Sequence, residues 1–260
     1  MTSPRGAGKG PDPGDEPEVP VMLRRLWGLS AASRRGRPAG LRLADVVAAG
    51  LVVADQDGLQ AVTMAAVARR LGVTGMALYR YVDSKEQLLV LLQDVAAGPP
   101  PAIPAGVPWR EGLRRWTEQL REVYRSRPWL ARMPISGPPA GPVQLAWLEV
   151  ALVALRATGL PGPQKIGIAT LLSGYVRQDA ILAQDLTTGR GGTDPDEAVR
   201  AYGHHLAQLL DAGRFPELTA IVASGSFVSP PAVAPEDPDH DFHFGLHRIL
   251  DGVATLIDGP

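Results

Sequence analysis

Between residues 43 and 97, apolar positions recur with the period of amphipathic helices. Leu43, Val46, Val47, Gly50, Leu51 and Ala54 share one stripe. Asp57-Gly58 stops that helix, because glycine accepts the left-handed conformation that follows a helix end. Thr63 is positioned as the N-cap of a second helix, 64–71, which Gly72 ends. Thr74 is positioned to cap a third, running to about residue 82. Only Gly72 and Val73 separate Leu71 from Thr74, so the two helices must cross sharply. Ala68 is small enough for close approach, and Val67, Leu71, Val73 and Leu78 supply the contacts between them. A fourth helix is expected from Ser84, which pairs with Gln87 as a capping box. Leu88, Leu89, Leu91, Leu92 and Val95 carry its apolar face onward.

Further helices follow at about 108–126, 143–158 and 164–186, divided by Pro/Gly-rich loops at 134–142, 187–195 and 224–238. The helix at 164–186 is apolar nearly all round, with Ile166, Ile168, Leu171, Leu172, Tyr175, Val176, Ile181 and Leu182, so it needs partners on every side. The last helix aligns Phe242, Leu246, Ile249, Leu250, Val253, Leu256 and Ile257, with Gly245 allowing close approach. β-Branched residues follow helical rather than alternating spacing. The fold class is all-α. Residues 98–108 hold five prolines and read as a hinge. This divides the chain into a disordered Pro/Gly/Arg-rich arm (1–35), a helix-turn-helix unit (36–97) and a helical domain (98–260).

Composition narrows the chemistry. With 26 Lys and Arg against 27 Asp and Glu, the net charge is −1, so any nucleic-acid surface must come from local clustering. Residues 22–42 provide one cluster, with Arg24, Arg25, Arg34, Arg35, Arg37 and Arg42 and no acid. There is no cysteine, which excludes disulfides, Cys-ligated zinc and a thiol nucleophile. The longest apolar-plus-glycine run, 46–54, is nine residues, against about 20 for a membrane span. The N-terminus lacks the apolar core of a signal peptide, so a cytoplasmic protein with no membrane partner is expected. The third helix projects Thr74, Gly75, Met76, Tyr79 and Arg80, a small or polar face with one long cation, as a major-groove reader needs. Lys85 in the first turn of the fourth helix opposes the helix dipole, a conflict that a bound phosphate removes.

The stretch 61–89, and above all "LYRYVDSKEQLL" at 78–89, resembles the DNA-binding domain of the tetracycline-repressor (TetR) family. More weakly, "PWL" at 128–130 and "FHFGLHRILDGV" at 242–253 resemble that family's ligand domain. The resemblance spans about residues 35–258. It implies a homodimer of nine or ten helices per subunit that binds a double-stranded operator and a small effector, and uses no cofactor. Carried over, Thr63 would contact phosphate. Thr74, Gly75, Met76 and Arg80 would face bases, Tyr79 and Tyr81 would lie along the backbone, and Lys85 would bind phosphate. Arg80 is the candidate for a bidentate guanine contact.

The resemblance also pairs the helix at 164–186 and the last helix with their symmetry mates, making Leu246, Ile249, Leu250, Val253 and Ile257 dimer contacts. The alternative is an intrachain core. The helices at 108–126, 143–158 and 164–186 should enclose the effector. Trp116, Leu120, Met133, Trp147 and Tyr175 are the lining candidates, with Gln178 and Asp179 as polar contacts; each aromatic could equally be ordinary core. Where the tetracycline repressor has a metal-binding histidine, this chain has Arg132 and Met133. That favours a bulky apolar effector over a magnesium–tetracycline complex, and no metal.

His243 and His247 are spaced to chelate a metal on one helix face, but their apolar neighbours argue for an interface edge. Arg34-Arg35-Gly36-Arg37-Pro38 fits a minor-groove arm or a solvated tail with nonspecific phosphate attraction. An enzyme or a ligand-sequestering protein could use the same helices. No catalytic residue stands out, since Ser/His/Asp ordering, a phosphate-binding loop and a metal triad are all absent from the sequence pattern. The reading helix argues for a ligand-responsive regulator, a repressor, over both.

Overall fold

The computed structural model describes residues 19–29, 41–135, 137–227 and 239–259. Among these residues there are twelve α-helices and no strand. The helices are α1 (Val21–Leu26), α2 (Leu43–Asp57), α3 (Met64–Leu71), α4 (Gly75–Leu78), α5 (Lys85–Ala96), α6 (Trp109–Ser126), α7 (Pro128–Ala131), α8 (Pro142–Ala154), α9 (Gly162–Arg190), α10 (Pro195–Leu209), α11 (Pro216–Ala223) and α12 (His240–Asp258). A 3-10 turn, Leu59–Ala61, joins α2 to α3.

The stripe expected on α2 is buried at Val46, Val47, Gly50 and Ala54. A Cβ at Gly50 would meet Leu92 Cδ2 at 3.1 Å. The glycine therefore lets α5 lie close on α2, with Leu92 packed against it. In that domain, α6 crosses α8 closely where a Cβ on Gly112 would meet Ala154 Cβ at 3.0 Å. The core is continuous from Val46 and Val67 through Leu88 and Leu113 to Leu172 and Leu250.

Several expected elements differ. The arm is not wholly unstructured, because residues 21–26 form α1, whose Met22 and Leu26 pack against the core. Residues 1–18 and 30–40, which include Arg34, Arg35 and Arg37, lie outside the described residues. Regular helix in the reader ends at Leu78 rather than near 82. Residues 79–81 continue as a turn, closed by Tyr81 N–H to Leu78 O at 2.8 Å. Thr74 makes no side-chain cap. Of the expected loop at 187–195, residues 187–190 are helix, since α9 runs to Arg190. Thr187 and Thr188 return their hydroxyls to the carbonyls of Ala183 and Gln184, so they do not break the helix. Only Gly191, at φ 56°, ends it. The proline-rich segment 98–108 is non-helical as expected, but the Trp147 indole N–H holds it through Gly98 O at 2.9 Å.

Candidate DNA interface and effector domain

The reader is built from local chemistry. Thr63 Oγ1 accepts the Ala66 N–H at 3.1 Å and caps α3. Gly72 takes the left-handed conformation, φ 67° and ψ 28°, that turns the chain from α3 toward α4. Leu78 is fully buried and anchors α4. Of the eight expected DNA contacts, Thr63, Thr74, Met76, Tyr79 and Arg80 are exposed, while Gly75, Tyr81 and Lys85 are half-buried. Met76 is 77% exposed, high for a large apolar side chain. A Cβ at Gly75 would meet open space, so packing does not demand glycine there. Arg80 projects from the turn after α4. Replacing it with alanine is expected to cost about 1–3 kcal/mol of discrimination at one base pair. Titration of single-base operator variants measures this, and an equal loss on every variant would assign Arg80 to phosphate instead.

Ser84 Oγ accepts the Gln87 N–H at 3.2 Å and caps α5. The expected reciprocal bond shifts by one residue, because Gln87 Oε1 accepts the N–H of Asp83 rather than that of Ser84. Gln87 Oε1 also accepts from Arg25 Nη1 at 2.7 Å, and Arg25 pairs with Asp83 at 2.9 Å. Arg25 is the main cause holding the Asp83 carboxyl below the usual carboxylate range.

Two carboxylates join the reading unit to the effector domain, and sequence reasoning missed both. Gly141, the N-cap of α8, has no side chain to cap its helix. Asp94 of α5 supplies the acceptor, with Oδ1 taking the N–H groups of Val143 at 3.1 Å and Gln144 at 3.0 Å. Asp94 is 98% buried, as its relative exposure of 2% shows. Burial raises its pKa, partly opposed by those two donors. The second carboxylate is Asp55 of α2, which accepts from the Trp129 indole at 2.8 Å and the Arg127 guanidinium at 3.1 Å. Arg127 also reaches Ala96 O at the end of α5, at 2.7 Å. A Gly-Pro helix start without its own cap was the one signal that could have pointed to Asp94.

The expected effector residues separate into groups. Trp116 and Trp147 meet edge to face, 6.1 Å between ring centroids, and the Trp116 N–H bonds Trp147 O at 2.8 Å. Met133 is buried, and Leu120 packs at the edge of the same core. Tyr175 lies instead against α12, stacked on Phe242 at 5.3 Å and donating to Phe242 O at 2.8 Å. Asp179 pairs with Arg121 at 2.8 Å, and that guanidinium also reaches Asp239 at 3.0 Å and lies 3.9 Å over the Phe242 ring. Gln178 is exposed. A cavity of about 260 Å³ lies elsewhere, at the junction of α1, α5 and the segment leading to α8. Its lining includes Leu26, Val90, Asp94, Ala140 and Gln144.

The expected dimer stripe needs correction. Leu246, Leu250 and Val253 are buried within the single chain, and Ile249 and Ile257 are half-buried against the same core. Phe242, Leu246, Leu250 and Val253 are spaced to form one inward face, which packs on α9. Gly245 serves the same contact, since a Cβ there would strike the Tyr175 hydroxyl. The outward face of α12 carries Phe244 and Leu256, 60% and 46% exposed, and α9 exposes Leu171 and Leu182. His243 approaches Glu118 at 3.5 Å and stacks on His247. Among the described residues no group of three metal-ligating side chains converges. No described helix is long and apolar enough to cross a membrane.

A short capped α3, a left-handed glycine turn and an exposed reading segment define a helix-turn-helix protein with a helical second domain. Family comparison agrees. Residues 46–92 match the family described as bacterial regulatory proteins, tetR family, and residues 101–257 match the tetracyclin repressor-like C-terminal domain. The HTH-type transcriptional repressor DrrR1 of Streptomyces coeruleorubidus is 32% identical over 246 residues, covering 92% of this chain and 87% of its own. Apo ActR from Streptomyces coelicolor superposes with a TM-score of 0.68 at 26% identity, over 85% of this chain and 100% of that one. ActR in complex with actinorhodin gives 0.68 at 26% identity, over 84% and 97%. The chain belongs to the TetR family of DNA-binding transcriptional regulators.

Proposed function

We propose that the chain is a dimeric repressor, released from a palindromic operator by a bulky, largely apolar effector held between α6, α8 and α9. The observation that carries the effector response is Asp94. It ties α5, whose start follows the reader, to the first turn of α8 in the effector domain. A ligand that moves α8 would pull α5 through two hydrogen bonds to one carboxylate. ActR, similar over most of this chain, was crystallised with actinorhodin and with (S)-DNPA, which supports an organic effector. The apolar cluster of Trp116, Leu120, Met133 and Trp147, packed between these helices, supports its class. We assign dimerisation to α9 and α12 because they expose Leu171, Leu182, Phe244 and Leu256, and a twofold protein suits a twofold operator.

The test is selection of random duplex DNA by the purified full chain at two salt concentrations, followed by release with a panel of bulky apolar compounds that includes actinorhodin. An inverted repeat, released by one such compound with a coupling of about 1–3 kcal/mol, is the expected result. Binding without a motif that vanishes at the higher salt would leave only nonspecific attraction and sink the proposal.

A further inference from the structure

The least expected element, α1, contacts the start of α5. Arg25 Nη1 bonds Asp83 Oδ2 at 2.9 Å, and Nη2 reaches Asp83 Oδ1 at 3.3 Å. Nη1 also donates to Gln87 Oε1 at 2.7 Å. Gln87 in turn accepts from the Asp83 N–H and donates to the Asp83 carboxylate at 3.2 Å. These three side chains form a closed ring around the turn that carries Ser84 and Lys85. Arg25 is held in place from its own helix. Met22 and Leu26 pack against the core, and the Trp27 indole donates to Ala140 O at 3.0 Å, just before α8. The Arg25 side chain is 21% exposed and that of Asp83 is 61% exposed, so the acid sits at the surface while its cation is partly covered.

The charge balance gives this ring a role. A DNA phosphate at the start of α5 is favoured by Lys85 and by the helix N-terminus. Asp83, two residues before Lys85, repels it. Arg25 offsets that carboxylate and fixes the turn through Gln87. We infer that Arg25 of α1 is a positioning residue for operator binding, masking Asp83 and setting the turn that presents Lys85 to phosphate. The inference rests on the reading that the start of α5 faces DNA.

The test uses the full chain and the selected operator, with affinity measured by fluorescence anisotropy over a salt series. Arg25→Ala is expected to weaken binding about fivefold, the scale of one lost surface ion pair plus an exposed carboxylate, with the salt slope unchanged. In an Asp83→Asn background the same change should cost less than about twofold, since no carboxylate remains to be masked. Lys85→Ala should weaken binding and lower the salt slope by about 1. Equal loss from Arg25→Ala in both backgrounds, with the slope reduced by about 1, would make Arg25 a phosphate contact and overturn this inference alone. So would no loss at all. If Lys85→Ala changes neither affinity nor slope, α5 does not start on the DNA, and the underlying reading fails together with this inference. Thermal melts of each variant separate these outcomes from loss of fold.

Discussion

Gly141→Ala is expected to destabilise the protein by about 3 kcal/mol, combining overpacking with the loss of a helix cap. Its backbone, φ −79° and ψ 153°, suits alanine, so conformational strain is not the cause. The new Cβ would lie 2.1 Å from Asp94 Oδ1 and 2.3 Å from its Cγ, driving the carboxylate away from α8. Asp94→Ala should cost about 1–2 kcal/mol, because the N–H groups of Val143 and Gln144 lose their acceptor. The double variant should be less destabilised than the sum, since the two closest clashes, with Asp94 Oδ1 and Cγ, are then gone. Denaturant unfolding followed by circular dichroism measures all three. Both single variants should still bind operator but respond weakly to effector. Strict additivity, or normal release in Asp94→Ala, would show that the bridge does not carry the signal. The bridge also has a pH signature. Burial raises the Asp94 pKa, so the folded state holds this proton more tightly than the unfolded chain. Its contribution therefore favours folding at acid pH and declines as pH rises through the folded pKa. Asp94→Asn should remove that slope.

Leu250→Ala is expected to cost about 3–5 kcal/mol, because Leu250 is fully buried inside one chain and its loss leaves a cavity. Phe244→Glu and Leu256→Glu, on the outward face of the same helix, should leave the subunit folded but split the proposed dimer. Operator affinity should fall with dimer dissociation, since one subunit can grip only one half-site. Sedimentation velocity and thermal melts distinguish the two effects. A folded monomer from Leu250→Ala, or an intact dimer from both outward variants, would place the dimer surface elsewhere. The contrast matters because the apolar pattern merges the two faces. Leu246 and Leu250 turn toward α9 while Phe244 turns outward, yet all are large apolar residues within two turns.

The reading unit was legible because its determinants are local. Thr63, Gly72 and Ser84 act on backbone groups within a few residues, and the stripe from Val46 to Ala54 reports one face of one helix. The all-α class follows from the same periodicity and its punctuation by proline and glycine. Thr74 failed as a cap because the sequence shows that a capping residue is present, not where its side chain points.

What joins the two domains was not legible, because its partners are remote in sequence. Asp94 reads as a polar residue near the end of a helix until α8 arrives, 49 residues later, with its uncapped start. Asp55 looks like solvent-facing charge until Trp129 comes to it across 74 residues. Arg25 looks like part of a basic tail until its helix lies beside Asp83 and Gln87. A short-range pattern specifies helices, their ends and one apolar face, because those depend on hydrogen bonds and spacings within a turn or two. Which face meets which neighbour, and which buried charge has its partner, depends on close packing among many helices at once, and only the tertiary structure decided it.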